Sequence, residues 1–260
     1  MTFEDLYRGK RVVVTGASSG IGKATARLLA RLGAEVMGLD RQVADAGLAG
    51  FIAVDLADPG SIDSAVAKIN GPVHGLFNCA GVSPTRPPAD IFKVNLLGLR
   101  HLTDALADRM PSGAAIASTA SNGGLAWRER LAEHRDLLRH GGFEDGLRWL
   151  EAHMDGISNA YSFAKEALVV WTMMRSQQLI ARGVRINCIS PGAVETPMLT
   201  EVATKVPRAA IDATTHPIGR RSSPEEQAWP LVWLNSELAS YVNGADLPVD
   251  GGFAASRAVP

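Results

Sequence analysis

The sequence predicts a parallel β-sheet covered by helices on both faces, a doubly wound α/β architecture. Three observations carry that prediction. Short β-branched runs alternate with segments of helical periodicity along the chain, a rhythm that pairs strands in parallel through crossover helices. The first of these runs passes through a glycine-rich turn directly into a helix. And 260 residues, 46% of them hydrophobic, suit one large α/β domain over residues 1–260 with a sizeable core.

Arg11-Val12-Val13-Val14-Thr15 is the first strand, followed at once by Gly16-Ala17-Ser18-Ser19-Gly20-Ile21-Gly22. Ile21, Leu28 and Leu32 then recur at helical spacing, and Gly33 supplies a stop. Glycines between a buried strand and a helix let a ligand's phosphates approach backbone N–H groups at the positive end of the helix dipole, so the turn reads as a nucleotide site. Glu35–Asp40 is the second strand and ends in an acid 20 residues after Gly20. A carboxylate there accepts hydrogen bonds from the adenosine ribose hydroxyls and repels a 2′-phosphate, which argues for NAD over NADP. Arg41 follows directly and tempers that preference, since a guanidinium can receive a phosphate.

Phe51–Leu56 reads as a third strand. Asp58-Pro59 then opens a helix, with Asp as N-cap and Pro at the first helical position, and Asn70-Gly71-Pro72 ends it. Val73–Phe77 is the fourth strand, with His74 a surface histidine at its start, and it runs into Asn78-Cys79-Ala80-Gly81. Val82–Asp90 is a loop. Phe92, Leu96, Leu99 and Leu102 lie on one side of the next helix with Asn95 among them, and Ala114–Thr119 is the fifth strand. Val184–Ser190 and Asp246–Asp250 supply two more strands. The two cysteines, Cys79 and Cys188, sit in apolar strand-like runs and read as buried thiols rather than a disulfide.

Tyr161 and Lys165 stand four positions apart, one helical turn on the same face. An ammonium beside a phenol favours the phenolate, so the spacing predicts a tyrosine with a lowered pKa that can exchange a proton with a substrate hydroxyl or carbonyl.

Taken together, Thr15–Gly22, Asn78–Gly81, Asn95, Ser118, Tyr161 with Lys165, Pro191-Gly192 with Thr196, and Asp250-Gly251-Gly252 resemble the short-chain dehydrogenase/reductase family over nearly the whole length. The resemblance implies a Rossmann-type sheet and an NAD(H)-dependent alcohol dehydrogenase or carbonyl reductase. In that family's chemistry Tyr161 is the general acid/base, and Lys165 lowers its pKa and binds the nicotinamide ribose. Ser118 hydrogen-bonds the substrate oxygen, and Asn95 holds a water that relays protons from Lys165. Ser118 matches the second serine of the family's usual pair, with Ala117 in place of the first; Ser121 reads as a helix or loop cap. The cofactor set implied is Gly16, Ser18, Ser19, Gly20, Ile21, Gly22, Asp40, Arg41, Asp55, Leu56, Asn78, Ala80, Gly81, Tyr161, Lys165, Pro191, Gly192, Val194 and Thr196. Residues 197–219 would form the mobile substrate lid.

The chain departs from the family pattern between Ser118 and Tyr161, which lie 43 residues apart where most members hold them far closer. Trp127, Leu131, Leu138 and Gly141-Gly142 read as one amphipathic helix and its stop. Phe143, Leu147, Leu150 and Met154 read as a second. Residues 122–158 are thus an inserted helical hairpin, and the loop from Gly81 to Asn95 is short. That combination resembles the bacterial branch containing 3α-hydroxysteroid dehydrogenase/carbonyl reductase and coniferyl alcohol dehydrogenase, which implies hydrophobic secondary alcohols or ketones of steroid or aromatic type. The hairpin enters beside two helices that build a tetramer contact in the family, so a homodimer is the expected assembly, with Trp127, Leu131, Leu147 and Trp149 covered by the chain's own helices or by its partner. A flap over the substrate mouth is the alternative.

Charge and composition exclude other classes. With 26 basic and 27 acidic residues the chain carries no electrostatic footprint for nucleic acid or an anionic membrane. Met1–Arg11 lacks the apolar centre of a signal peptide and no run is long enough to span a bilayer, so a cytoplasmic protein is expected. No His, Cys and acid cluster has zinc spacing, so no metal is expected. Arg220 and Arg221 read as structural pairs, and Trp229 and Trp233 as core or interface aromatics. A non-catalytic dinucleotide sensor is the rival from another class, disfavoured because both Tyr161 and Lys165 are present.

Overall fold

The computed structural model describes residues 5–43 and 47–259. Met1–Glu4, which open the stretch read for a targeting segment, lie outside the described residues. Seven parallel strands form one sheet: β1 (Arg11–Thr15), β2 (Glu35–Asp40), β3 (Gly50–Ala53), β4 (Gly75–Asn78), β5 (Ala115–Thr119), β6 (Arg185–Pro191) and β7 (Asp246–Val249). Their spatial order is β3-β2-β1-β4-β5-β6-β7. The chain runs outward one way from β1 and the other way from β4, so the carboxyl ends of β1 and β4 flank the switch point where such sheets bind ligands. The third strand is shorter than its apolar run predicts, because pairing with β2 stops at Asp40↔Ala53.

Both faces of the sheet are buried, as parallel pairing requires. Alternation along β1 shows the division: Val13 packs with α2 (Pro59–Lys68), α4 (Leu99–Ala107) and α7 (Ala160–Leu179), while Val12 and Val14 pack with α1 (Gly20–Arg31) and α10 (Pro224–Asn235). Asp58 caps α2 by accepting from Gly60 N at 2.9 Å, with Pro59 at the first position as predicted. The Asn95 segment is a composite. A short α3 (Pro88–Phe92) widens into a π-type turn at Lys93–Gly98 before α4 begins.

The insertion is a two-helix hairpin, α5 (Leu131–Arg139) and α6 (Phe143–His153). Its first helix starts at Leu131, leaving Trp127 in the turns that lead into it. α5 packs on α7 and α6 on the π-type turn. Trp149 is buried, and Trp127, Leu131 and Leu147 pack partly buried against the same core. Of residues 122–158 only Asn122 lines the large cleft, so the hairpin covers the chain's own helices and is not a flap over the mouth. Downstream, α8 (Pro197–Ala203) and α9 (Arg208–Asp212) form the lid segment, and α11 (Phe253–Ala258) follows β7.

Arg220 and Arg221 are structural pairs, the first with Glu226 at 2.7 Å and the second with Asp212 at 2.7 Å. Trp229 and Trp233 are 41% and 40% exposed, which removes them from the core. Cys188 is buried and Cys79 half-buried, both as free thiols. Among the described residues no helix is long and apolar enough to cross a membrane, and no group of His, Cys and acids could hold a metal ion.

Candidate active site

A cleft of about 630 Å³ opens at the carboxyl ends of β1, β2, β4 and β5, along the switch point. Its floor is the glycine turn. Gly22 admits no side chain, because a Cβ there would stand 2.2 Å from Gly16 O. That tightness brings the backbone of the first turn of α1 to the cleft surface through Gly20, Ile21 and Gly22. Ser19, at the N-cap, makes no capping bond from its side chain, and the first turn carries no acid. Open N–H donors at a helix N-terminus suit the pyrophosphate of a dinucleotide. Asp40, at the end of β2, is held by Ser18 N at 3.1 Å and Arg41 N at 2.7 Å. The Ser18 hydroxyl also bonds Gln42 O. Leu39, Val54 and Leu56 supply apolar wall beside Asp55. The residues present therefore fit a nicotinamide dinucleotide.

The sequence-predicted cofactor residues line this cleft with one exception. Asn78 is buried, and its Nδ2 donates to Thr103 Oγ1 at 3.0 Å and Ser118 Oγ at 3.3 Å. It ties β4 to β5 and α4 and does not reach the cleft.

Tyr161 and Lys165 rise from the first two turns of α7, whose start is set by Asn159 accepting from Ser162 N at 3.0 Å. Lys165 is 5% exposed, and its Nζ donates to Thr119 O at 2.7 Å while lying 5.8 Å from the Tyr161 ring centroid. Burial lowers the Lys165 ammonium to about 8. Burial also pushes the Tyr161 phenol up, with the neighbouring Ser121 hydroxyl pulling the other way. The predicted lowering of the phenol by Lys165 is thus not what the side chains display: desolvation dominates, and the ammonium is aimed at the Thr119 carbonyl.

One predicted catalytic residue, Ser118, needs correction. Ser118 is fully buried inside β5, paired in register with Asn78 and Cys188, and its hydroxyl accepts from Asn78. A substrate oxygen cannot reach it. Ser121, read from sequence as a cap, lies just past the strand end, lines the cleft and neighbours the Tyr161 phenol. It also caps: its Oγ accepts from Gly123 N at 3.0 Å. The signal that could have found it is position, since a residue beyond a strand's carboxyl end is at the binding edge and one inside the strand is not. Asn95 is fully buried with both amide atoms engaged, Oδ1 accepting from Val82 N at 2.7 Å and Nδ2 donating to Val82 O at 3.0 Å. Its side chain holds the wall after β4 in place, using one N–H and one lone pair of the amide.

The remaining wall was not predicted residue by residue. Val82, Pro84 and Val94 face Met198, Leu199, Val202 and Ile211 of the lid segment. The charged residues lining the cleft are Asp40, Arg41, Asp55 and Lys165. Glu201 on α8 bridges the two walls at the surface, its Oε1 accepting from Ser83 Oγ at 3.1 Å, Thr85 Oγ1 at 2.9 Å and Arg86 Nε at 3.0 Å.

Residues 10–132 match the short chain dehydrogenase family and residues 151–254 the family described as enoyl-(acyl carrier protein) reductase. Coniferyl-alcohol dehydrogenase of Pseudomonas sp. (strain HR199) is 39% identical over 95% of this chain and 97% of its own. The 3-alpha-hydroxysteroid dehydrogenase/carbonyl reductase of Comamonas testosteroni is 33% identical over 93% and 95%. Among solved structures, 3-alpha-hydroxysteroid dehydrogenase from Pseudomonas sp. B-0831, complexed with NADH, superposes with a TM-score of 0.83 at 32% identity, covering 96% of this chain and 100% of that one. Another similar structure, a putative gluconate 5-dehydrogenase from Beutenbergia cavernae at 29% identity, holds NADP. With the sheet order, the glycine turn and the Tyr161–Lys165 pair, these likenesses make the chain a member of the short-chain dehydrogenase/reductase family, an oxidoreductase acting on alcohols and carbonyl compounds.

Proposed function

We propose that this protein is an NAD(H)-dependent dehydrogenase that interconverts a neutral, hydrophobic alcohol of aromatic or steroid type with its carbonyl compound. The observation that carries the reading is the convergence of Tyr161, Lys165 and Ser121 on a cleft whose lid-side wall is apolar and uncharged. A carboxylate or phosphate on the substrate would find no cation there, whereas rings of a phenylpropanoid or steroid would find Val82, Met198, Leu199 and Val202.

When bound, the nicotinamide supplies or accepts the hydride at the carbinol carbon. The chain's own groups handle the oxygen. Tyr161 gives its phenolic proton to a carbonyl oxygen, or takes one from an alcohol; a phenol held protonated by burial is poised for the first direction. Ser121 donates a hydrogen bond to the same oxygen and stabilises charge developing on it. Lys165, anchored on Thr119 O at the cleft, would hold the nicotinamide ribose beside the phenol. Asp40, lining the cleft at the end of β2, would repel a 2′-phosphate and so favours NAD(H).

The test is NADH absorbance at 340 nm with a panel of aromatic, steroid, sugar and acidic carbonyl compounds, and with NAD and the matching alcohols. Turnover confined to neutral hydrophobic members supports the reading. Binding of NADH without turnover of any member, or preference for acidic substrates, refutes it.

A further inference from the structure

α7 buries a carboxylate where an apolar residue would be expected. Glu166 is 1% exposed, flanked by Phe163, Ala167 and Leu168, and it directly follows Lys165. A lone buried carboxylate is costly, and this one is fully engaged. Arg130 takes it bidentately, Nε to Oε2 at 2.9 Å and NH2 to Oε1 at 2.7 Å, while His134 Nε2 meets Oε2 at 2.9 Å. His134 is fully buried, with its ring 4.5 Å from that of Phe163 and its Nδ1 unpartnered. Because a carboxylate only accepts, the ring donates to it through Nε2. The Arg130 and His134 contacts hold the Glu166 carboxyl below its usual range despite burial.

The partners of Glu166 come from the inserted hairpin, and what lies between them and the site is the turn bearing Ser121. From Ser121 to Arg130 the chain is a succession of turns, with backbone bonds only between near neighbours such as Gly124 N to Ser121 O at 2.9 Å and Glu129 N to Ala126 O at 2.9 Å. That stretch lies on α7. A Cβ on Gly124 would stand 3.1 Å from the carbonyl carbon and oxygen of Lys165 and 3.3 Å from Glu166 N. The turn is thus attached at one end to β5 and at the other to Glu166, and seated between them on the peptide joining Lys165 to Glu166.

We propose that Glu166 is a positioning residue: gripped by Arg130 and His134 of the inserted hairpin, it fixes the turn that presents Ser121 to Tyr161. The proposal rests on the reading of Ser121 as the substrate-oxygen donor. It gives the hairpin a second consequence beyond covering α7, since the insertion separates serine from tyrosine in sequence and then supplies the clamp that brings them into register. Glu166 does not line the cleft; it acts through the backbone of residues 121–130.

A double-mutant cycle tests this, because a residue that acts through Ser121 loses its effect when Ser121 is absent. Glu166→Gln keeps the side-chain shape and removes the charge. With Ser121 present it is expected to lower kcat about tenfold, with NADH affinity by fluorescence titration unchanged. In the Ser121→Ala background the same change should leave kcat within about twofold. Without any ligand, amide exchange of residues 121–130 should quicken. An equal loss of kcat in both backgrounds, or no loss in either, overturns the proposal. Full activity of Ser121→Ala alone refutes the Ser121 reading itself, a distinguishable failure that takes this inference with it. Should Glu166→Gln not fold, Arg130→Met runs the same cycle, because the Arg130 side chain is 24% exposed and its loss leaves His134 on the carboxylate.

Discussion

The two serines near the end of β5 make opposite predictions from nearly the same chemistry. Ser118→Ala deletes a hydroxyl that is fully buried and accepts one bond, from Asn78 Nδ2 at 3.3 Å. Asn78 Nδ2 keeps its shorter bond to Thr103 at 3.0 Å, so no donor nitrogen is stranded. A neutral hydrogen bond of that kind contributes about 1 kcal/mol. In a chain of this size that is a fall in Tm of about 2–4 °C. Turnover should not change, since the side chain does not reach the cleft. Ser121→Ala should lose a hydrogen-bond donor at the reacting oxygen, which is worth about 10²–10³ in kcat. It also loses the cap on Gly123 N, with a cost of about 0.5–2 kcal/mol. Steady-state kinetics on a substrate identified from the panel, with thermal unfolding by circular dichroism on the same preparations, reads both quantities. A hundredfold loss of kcat in Ser118→Ala with Tm unchanged, alongside an active Ser121→Ala, would refute the placement of the active serine.

Three further outcomes are expected. NAD(H) should give the higher kcat/KM, and Asp40→Ser should raise kcat/KM for NADPH at least about tenfold by removing like charge; equal use of both cofactors by the unchanged protein points instead to Arg41. Lys165, lowered from 10.5 to about 8, binds fewer protons folded than unfolded between those pH values, so its contribution to stability rises with pH across that window. Urea titrations of the protein and of Lys165→Met from pH 8 to 10.5 should differ by that slope, and parallel curves would show that the ammonium is not desolvated. The hairpin's packing on α7 and the π-type turn should leave a dimer by light scattering at micromolar concentration, whereas a tetramer would mean that the covered face is not needed for assembly.

How the chain divides between local and long-range information is visible in particular residues. The strand–turn–helix at Val12–Leu28, the Asp58-Pro59 helix start and the Tyr161–Lys165 turn are legible because each depends on neighbours within a few positions: β-branched runs, capping chemistry and the helical repeat. The hairpin was legible for the same reason, its apolar stripes being periodic, although α5 starts at Leu131 and leaves Trp127 outside. Ser118 and Asn78 lie away from the cleft, which was not legible because motif position does not say which way a side chain faces. Register in the sheet does: Ser118↔Asn78 and Ser118↔Cys188 turn that hydroxyl into the core. Tyr161's phenol follows the same lesson, for spacing alone predicts a nearby ammonium and a lowered pKa, whereas desolvation is summed over everything packed around the group. The Glu166 clamp is the clearest case. In sequence it is a glutamate in an apolar helix, with Arg130 36 residues and His134 32 residues away. Folding brings the three into one contact around a buried carboxylate, and there the cost of burying it becomes the reason its partners must stay in place.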